Sequence, residues 1–427
     1  EAVSGQHHFT LFCHADTKEQ LDDLVVACDA TLNQSGIIAV REDRGVKAAF
    51  FAMLPANQAY IARRALVSSK NMAGFASFHN SPMGQKQGNY WGEAVTVLET
   101  ISGSPYYFNF HVQDVANTIL IGPQGSGKTL LEAFLLAQSM KHGGRIILFD
   151  KDQGLEAFVR AMDGQYSLMT PGAKTGFAPF QMPDTPENRH FLVQLLRKIA
   201  LLDNRDLNDE ELQLLYTAVA VNYQLPQHER FLRNLVPNLG PRKVGSLRNR
   251  FDQWVEQGDY AWVFDNNVDQ LSLNAAVIGF DMTSVLDDHY VLAPVYSYLF
   301  HCIEQLLDGT PTRIVVAEGW KPLQQDVTFR AQIKDWSSTP RKKEAFLILD
   351  TQSPQDISHS EVGCKIIQES VTQIYFANPK AQYQDYVLNF KLSEKEFEII
   401  KTLEKGSHYF LLKQGKNSVV ARARSEE

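Results

Sequence analysis

The feature that most constrains this chain is a glycine-rich segment at residues 122–129, which fits the pattern G-x-x-x-x-G-K-[ST]. Glycines let the backbone bend so that successive N–H groups point at phosphate oxygens, and a helix start adds partial positive charge. An apolar run at 117–121 precedes the segment, as expected of a buried parallel strand, and apolar residues follow it at helical spacing. This context, which a chance match would lack, predicts a strand, a phosphate-binding loop and a helix.

The same pattern assigns individual roles around a bound nucleotide. Lys128 is expected to reach the β- and γ-phosphates of ATP, and the Thr129 hydroxyl to hold Mg²⁺. The residues expected to contact the nucleotide are Gly122, Pro123, Gln124, Gly125, Ser126, Gly127, Lys128, Thr129 and Leu130. The sequence therefore predicts ATP and Mg²⁺ as cofactors.

Strand and helix patterns alternate after the loop and define the fold class. Apolar runs expected to be buried strands occur at 145–150, 276–281, 313–318, 345–350 and 372–376, and a closing hairpin is expected at 408–423. Residues 184–260 carry helical patterns without strands, which predicts an all-helical insertion. We therefore expect an α/β domain with a mostly parallel sheet over residues 111–427.

Residues 1–110 are expected to form a separate, smaller α/β domain, truncated at its start because the chain begins at Glu1 without a methionine. Strands are predicted at 8–13 and 36–40, around a helix at 18–32. The histidines near the start of the chain lack the cysteine or carboxylate partners of a metal site, so we assign them no such role.

Composition limits the classes of function. A length of 427 residues suggests about two or three domains. The net charge of −8 argues against non-specific DNA coating, although a local basic cluster exists. Four scattered cysteines suggest buried thiols in a reducing compartment, and no membrane span or signal peptide is apparent. The basic cluster comprises Arg242, Lys243, Arg248 and Arg250, and it is either a solvated face or a contact for nucleic acid or another subunit.

An ordered set of short motifs along the chain resembles one family. They occur at 122–129, 149–152, 175–177, 262–266, 279–283, 298–301, 318–321, 341–343, 351–354 and 377–379, with further matches at 41–42, 69–71, 91–92 and 107–111. Together they resemble the large ATPase of type IV secretion and conjugation systems, the CagE/TrbE class that forms the fourth component of the VirB set. Each short motif is weak alone, whereas the ordered set covers nearly the whole chain.

The resemblance implies a RecA-like P-loop motor related to the HerA/FtsK translocases. Such a motor works as a hexamer or dimer on the cytoplasmic face of the bacterial inner membrane. It implies that ATP hydrolysis energises channel and pilus assembly and substrate transfer. The implied partners are other copies of the chain, inner-membrane channel and pilus-assembly proteins, and coupling ATPases.

The sequence departs from the usual Walker B ending of Asp-Glu, because Ala317 precedes Glu318. Glu318 can still polarise the attacking water and approach the metal, but the usual metal-supporting carboxylate is missing. Asp350 stands where the family has a small residue, on a strand expected beside the phosphate-loop strand. One hypothesis is that Asp350 supplies the missing carboxylate. The alternative is that Asp350 caps a strand end and that the ATPase is slow.

Two further catalytic residues follow from the resemblance. Gln352 is expected to sense the γ-phosphate from the end of its strand. Arg341 is the preferred candidate for an arginine finger acting on a neighbouring subunit's nucleotide, and the alternative is an ordinary surface arginine in a basic run.

Three functions remain open at this stage. The first is the secretion or conjugation ATPase, and the second is a DNA-translocating motor of the HerA/FtsK type, for which DNA is a partner. The third is a nucleotide-binding scaffold with weak hydrolysis, which Ala317 suggests.

Overall fold

A computed structural model describes residues 3–34, 36–61, 63–75, 82–201, 206–318, 327–338, 343–352, 354–358 and 361–423. The chain divides into two compact units, residues 1–80 and residues 81–427. This division falls before residue 110, where the sequence placed the domain boundary. The cause is that the strands at 96–108 join the sheet of the second unit.

The first unit contains a two-stranded antiparallel sheet and helices. Strand β1 is Ser4–His7 and strand β2 is Ala65–Ser68. The helices are α1 (Lys18–Gln34), α2 (Val46–Ala52) and α3 (Ser69–Phe75). The helix expected at 18–32 is therefore confirmed.

The strands expected at 8–13 and 36–40 are wrong. Neither segment pairs with another strand in the described residues. Their apolar side chains suggested a packed face, yet Phe9, Ile38 and Val40 are exposed. An apolar run forms a stable strand only when a partner strand and a packed face are available to it.

The second unit is built on an eleven-stranded sheet in the order β4-β3-β13-β12-β11-β5-β10-β9-β6-β8-β7. Seven of these strands, from β11 to β7 in that order, run parallel, and the other four are antiparallel. The strands are β3 (Thr96–Thr100), β4 (Pro105–Phe108), β5 (Thr118–Ile121), β6 (Arg145–Asp150), β7 (Gln165–Leu168), β8 (Val277–Asp281), β9 (Thr312–Val316), β10 (Ala345–Thr351), β11 (Thr372–Phe376), β12 (Phe410–Gln414) and β13 (Asn417–Arg422).

Helices cover both faces of this sheet, and a separate apolar cluster lies against each face. The helices are α4 (Lys128–Ser139), α5 (Glu156–Ala161), α6 (Pro186–Ala200), α7 (Asp209–Asn222), α8 (Leu232–Leu235), α9 (Leu247–Arg250), α10 (Ala261–Phe264), α11 (Thr283–Asp287), α12 (His289–Leu306), α13 (Val327–Ser338), α14 (Pro354–Ser358), α15 (Glu361–Glu369) and α16 (Glu394–Thr402), with a π-helical turn at Gln384–Asn389. The predicted mostly parallel α/β architecture is confirmed. None of the helices described is long and apolar enough to cross a membrane.

The segment predicted as an all-helical insertion contains α6 to α9 and, among its described residues, no strand. Local signals fix the helix starts: the Thr185 side chain accepts a hydrogen bond from the Asn188 N–H, and Asn208 and Glu211 form a capping box. Helix α6 then packs against α12, where His301 Nε2 lies 2.8 Å from Asn188 Oδ1.

The burial of His301, on α12, is expected to make folding sensitive to acid. Burial lowers the pKa of His301 from its ordinary 6.5 to about 4, so the folded chain keeps the imidazole neutral where the unfolded chain protonates it. The unfolded state then binds more protons, and stability is present above pH 6.5 and lost as the pH falls towards 4. Burial also lowers the pKa of His111 to about 4, which adds to the loss.

We expect the free energy of unfolding to drop between about pH 7 and about pH 5, and to drop less in His301→Gln. The measurement is urea unfolding at both pH values. His228→Gln is the matched control, because the His228 side chain is 80% exposed. A pH dependence that is the same in wild type and His301→Gln would contradict this prediction.

Candidate functional site: a phosphate loop at the carboxyl edge of the sheet

The loop at 122–127 connects β5 to α4 at the carboxyl ends of the parallel strands. Gly122 is buried, and a Cβ there would lie 2.8 Å from the Phe376 Cβ, so a side chain does not fit. Gly125 and Gly127 have φ angles of 73° and 88°, in the left-handed region that glycine adopts without strain. The strand, turn and helix predicted from the sequence are all present.

The inner surface of the loop fits a phosphate group. The first N–H groups of a helix have no acceptor within it, and here they belong to the first turn of α4. The Ser126 Oγ is buried and, among the described residues, has no hydrogen-bond partner. Donors held in this way, at a helix start with its partial positive charge, match the oxygens of a polyphosphate.

Lys128, the first residue of α4, forms a buried ion pair across the site. Its Nζ lies 2.8 Å from the Asp350 Oδ2, and the two side chains are only 10% and 7% exposed. Asp350 also accepts a hydrogen bond from the Glu318 N–H through its Oδ1, at 2.8 Å. One carboxylate therefore contacts both the lysine of the phosphate loop and the backbone at the end of the Walker B strand.

Strand register explains how Asp350 reaches both groups. β10 lies between β5 and β9, with Asp350 opposite Leu120 and Leu349 opposite Val316. The residues that follow the second pair, Asp350 and Ala317, are therefore adjacent across the two strands. The expectation that this strand lies beside the phosphate-loop strand is confirmed, and Asp350 lies one strand away from position 317, at the same level of the sheet.

A second carboxyl group, Glu132, lies beneath the ion pair and was not singled out from the sequence. It follows Lys128 by four residues on α4 and so lies on the same helix face, where it is buried and its Oε1 has no described partner. Burial raises the pKa of Glu132 well above its usual range, as does the negative charge of Asp350, while Lys128 opposes the shift. The sequence signal was a glutamate on an otherwise apolar helix face.

The other predicted residues occupy different positions. Glu318 is partly buried with a φ of 51°, a left-handed conformation that non-glycine residues seldom adopt. Gln352 follows β10 and is exposed, as are Thr129 and Leu130. Arg341 lies outside the described residues.

Two further aspartates near this edge, Asp150 and Asp281, are held by other groups. Asp150, at the end of β6, accepts hydrogen bonds from the Leu155 N–H and the Tyr166 hydroxyl, both through Oδ2. Its own Oδ1 accepts from the Lys151 N–H. Asp281, at the end of β8, accepts from Thr283 and Gln153. These contacts order the loops around the site.

Magnesium in nucleotide sites takes one or two protein oxygens and completes its shell with phosphates and water. Among the described residues no group of three His, Cys, Asp or Glu side chains could hold a metal ion by itself. The Thr129 hydroxyl, Asp350 and Glu318 offer the few oxygen donors that such a shared site needs. The residues present therefore fit Mg²⁺ bound together with a nucleotide, and not as an isolated ion.

Similarity to known proteins covers almost the entire chain. Residues 1–63 match the model of the CagE, TrbE, VirB family, component of type IV transporter system. The chain is 42% identical over 421 residues to the type IV secretion system protein VirB4 of Bartonella quintana, which covers 98% of this chain and 54% of that relative. It is 35% identical over 445 residues to the type IV secretion system protein PtlC of Bordetella pertussis, with the same two coverages. The chain thus spans about half the length of these relatives.

Solved structures agree on the fold. The VirB4 structure of Thermoanaerobacter pseudethanolicus aligns with a TM-score of 0.63 at 19% identity, over 80% of this chain and 98% of that one. The plasmid coupling protein TrwB in complex with a non-hydrolysable ATP analogue aligns with a TM-score of 0.51 at 13% identity, over 84% of this chain and 93% of that one. At these identities the likeness concerns the fold alone, and it agrees with the RecA-like α/β fold expected from the sequence. The resemblance to the CagE/TrbE class of type IV secretion proteins, inferred from the motifs, is confirmed by the sequence matches to VirB4 and PtlC.

Proposed function

We propose that this chain binds and hydrolyses ATP with Mg²⁺, and that hydrolysis energises a bacterial type IV secretion or conjugation system. The observation that carries the proposal is the buried contact of Lys128 with Asp350 at the mouth of the phosphate loop. When a nucleotide binds, its phosphates offer Lys128 a second partner, and the carboxylate becomes free to face the metal. The similarity to VirB4 and PtlC supports the biological setting.

In this proposal each residue has one task. The loop N–H groups and Lys128 would bind the β- and γ-phosphates, while Thr129 and Asp350 would hold Mg²⁺. Glu318, which follows the Walker B strand, would polarise the attacking water and would help to hold the metal. Gln352 senses the γ-phosphate, and Arg341 acts on the nucleotide of a neighbouring copy. Mg²⁺ supplies charge neutralisation for the phosphates when it is bound.

The proposed partners follow from the same resemblance. They are further copies of this chain in a hexamer or dimer, inner-membrane channel and pilus-assembly proteins, and coupling ATPases, at the cytoplasmic face of the inner membrane. A DNA-translocating motor is less well supported, because two of the four residues in the basic cluster form contacts within the chain. Arg250 is buried and donates to the Ala200 carbonyl oxygen, and Arg242 pairs with Asp252.

The test is binding and turnover by the wild-type chain. We expect tight binding of MgADP by calorimetry, and phosphate release from ATP that requires Mg²⁺ and is unchanged by added DNA. Release that DNA stimulates, with a steep dependence on salt, would favour the DNA motor. Nucleotide binding without phosphate release would favour the nucleotide-binding scaffold. An absence of affinity for any adenine nucleotide would overturn the proposal.

A further inference from the structure

The closing hairpin of the second unit brings a histidine to the phosphate loop. β11 runs parallel to β5 with Tyr375 opposite Ile121, and β12 runs antiparallel to β11 with Phe410 opposite Phe376. The start of β12 therefore lies at the edge of the sheet where β5 ends and the phosphate loop begins. His408 stands two residues before β12, on the side of the loop away from β10 and Asp350.

The His408 ring reaches the loop itself. Its Nδ1 is 3.8 Å from the point that a Cβ on Gly127 would occupy, an ordinary van der Waals separation. Gly127 directly precedes α4 and is one of the glycines whose backbone is expected to contact phosphate. The imidazole and the cradle therefore line the same space.

The backbone around His408 is held in an uncommon conformation. His408 has a φ of 59°, in the left-handed region. The preceding turn fixes it there, because Ser407 Oγ donates to the Glu404 carbonyl oxygen and accepts from the Tyr409 N–H. A histidine kept in such a conformation at the mouth of a site is a reason to look for a function.

Within the part of the chain that the structure describes, no hydrogen bond uses either ring nitrogen of His408. A neutral imidazole offers one N–H donor, and a protonated one offers two and a positive charge. Both forms can donate to a phosphate oxygen, and a charge-assisted hydrogen bond of this type is stronger than a neutral one. The ring therefore has N–H groups available for hydrogen bonding beside the loop that is expected to hold phosphate.

We propose that His408 is a nucleotide-binding residue that donates a hydrogen bond to the diphosphate part of the bound nucleotide. The inference rests on the proposed function, because it assumes that the loop holds a nucleotide. Lys128 and Asp350 approach the loop from the β10 side, where the γ-phosphate is expected, and His408 approaches from the β12 side. The proposed contact therefore involves groups that ADP and ATP share. Within those groups it involves phosphate oxygens, and not the base or the ribose.

The experiment measures the dissociation constants of MgADP and of magnesium pyrophosphate by calorimetry, with the full chain. His408→Gly removes the imidazole donors, and His408→Asn replaces the ring with a shorter amide that reaches less far. Both residues adopt a φ near 60° without strain, so the turn is preserved. His228→Gly is the matched control, since His228 is an exposed histidine of the helical insertion. Circular dichroism and the thermal midpoint check that each variant is folded.

We expect the two His408 variants to bind both ligands about tenfold more weakly than wild type, the change that loss of one hydrogen bond to a charged group implies. The control should bind as wild type does. Unchanged pyrophosphate binding in the folded variants would overturn the inference, including the case where only MgADP binding weakens, because that result assigns the ring to ribose or base. No MgADP binding by the wild-type chain would instead overturn the proposed function.

Discussion

Replacing Lys128 with alanine is expected to lower the rate of ATP hydrolysis by a hundredfold or more, on the order of what removal of one preorganised donor to developing charge costs an enzyme. The Lys128 ammonium is the charged donor of the phosphate loop, and no other lysine or arginine among the described residues forms an ion pair with Asp350. Phosphoryl transfer depends almost entirely on positioning and charge stabilisation, so the loss appears in turnover. The measurement is phosphate release at saturating MgATP.

The alanine variant also leaves Asp350 buried without its cation, which can weaken the fold by about 3 kcal/mol. Lys128→Arg separates the two effects, because a guanidinium can still pair with Asp350 but does not reproduce the compact ammonium in the loop. We expect Lys128→Arg to be folded and as inactive as Lys128→Ala. Lys141→Ala is the control, since Lys141 follows the same helix and pairs with Glu93 at the surface. Turnover retained in folded Lys128→Arg and Lys128→Ala would contradict the assignment.

The phosphate loop and the parallel sheet were predictable because their signals are local. The loop pattern fixes the glycines and Lys128 within eight residues, and the buried strands are continuous apolar runs bounded by polar residues. Such signals do not depend on which strands become neighbours. The same holds for α1, whose helical periodicity is complete within its own segment.

The errors arise where the outcome depends on distant partners. Residues 8–13 and 36–40 have the composition of strands, but the only strand pairing described in that unit joins β1 to β2. His408 reaches the loop because β11 lies between β5 and β12, an order that a single sequence does not reveal. The sequence shows Glu132 only as a glutamate on an apolar helix face. Its interaction with Asp350 depends on the position of β10, which the sequence does not reveal. Long-range register therefore decides these positions.

Replacing Asp350 is expected to have the second large effect on ATP hydrolysis, and the strand register allows this to be tested with two sets of variants. If Asp350 supplies the carboxylate that Ala317 lacks, Asp350→Asn should lower Mg²⁺-dependent turnover on the order of a hundredfold, because the uncharged amide no longer supports the metal. The asparagine keeps the size of the side chain and an oxygen that can accept from the Glu318 N–H. If Asp350 only caps the strand end and pairs with Lys128, folded Asp350→Asn should hydrolyse ATP nearly as fast as wild type, and the lost ion pair should appear in the free energy of unfolding instead. Turnover as a function of Mg²⁺ concentration separates the two.

A second variant tests whether the carboxylate has been moved from one strand to the next. Ala317 follows Val316, which is paired with Leu349, so position 317 lies beside position 350 at the same level of the sheet. Ala317→Asp introduced together with Asp350→Asn returns a carboxylate to the Walker B strand, and we expect it to restore at least part of the lost turnover. Ala317→Asn in the same background is the matched control, because it adds the same volume without the charge. Restoration by both substitutions, or by neither, would mean that the charge of Asp350 is not what the metal requires.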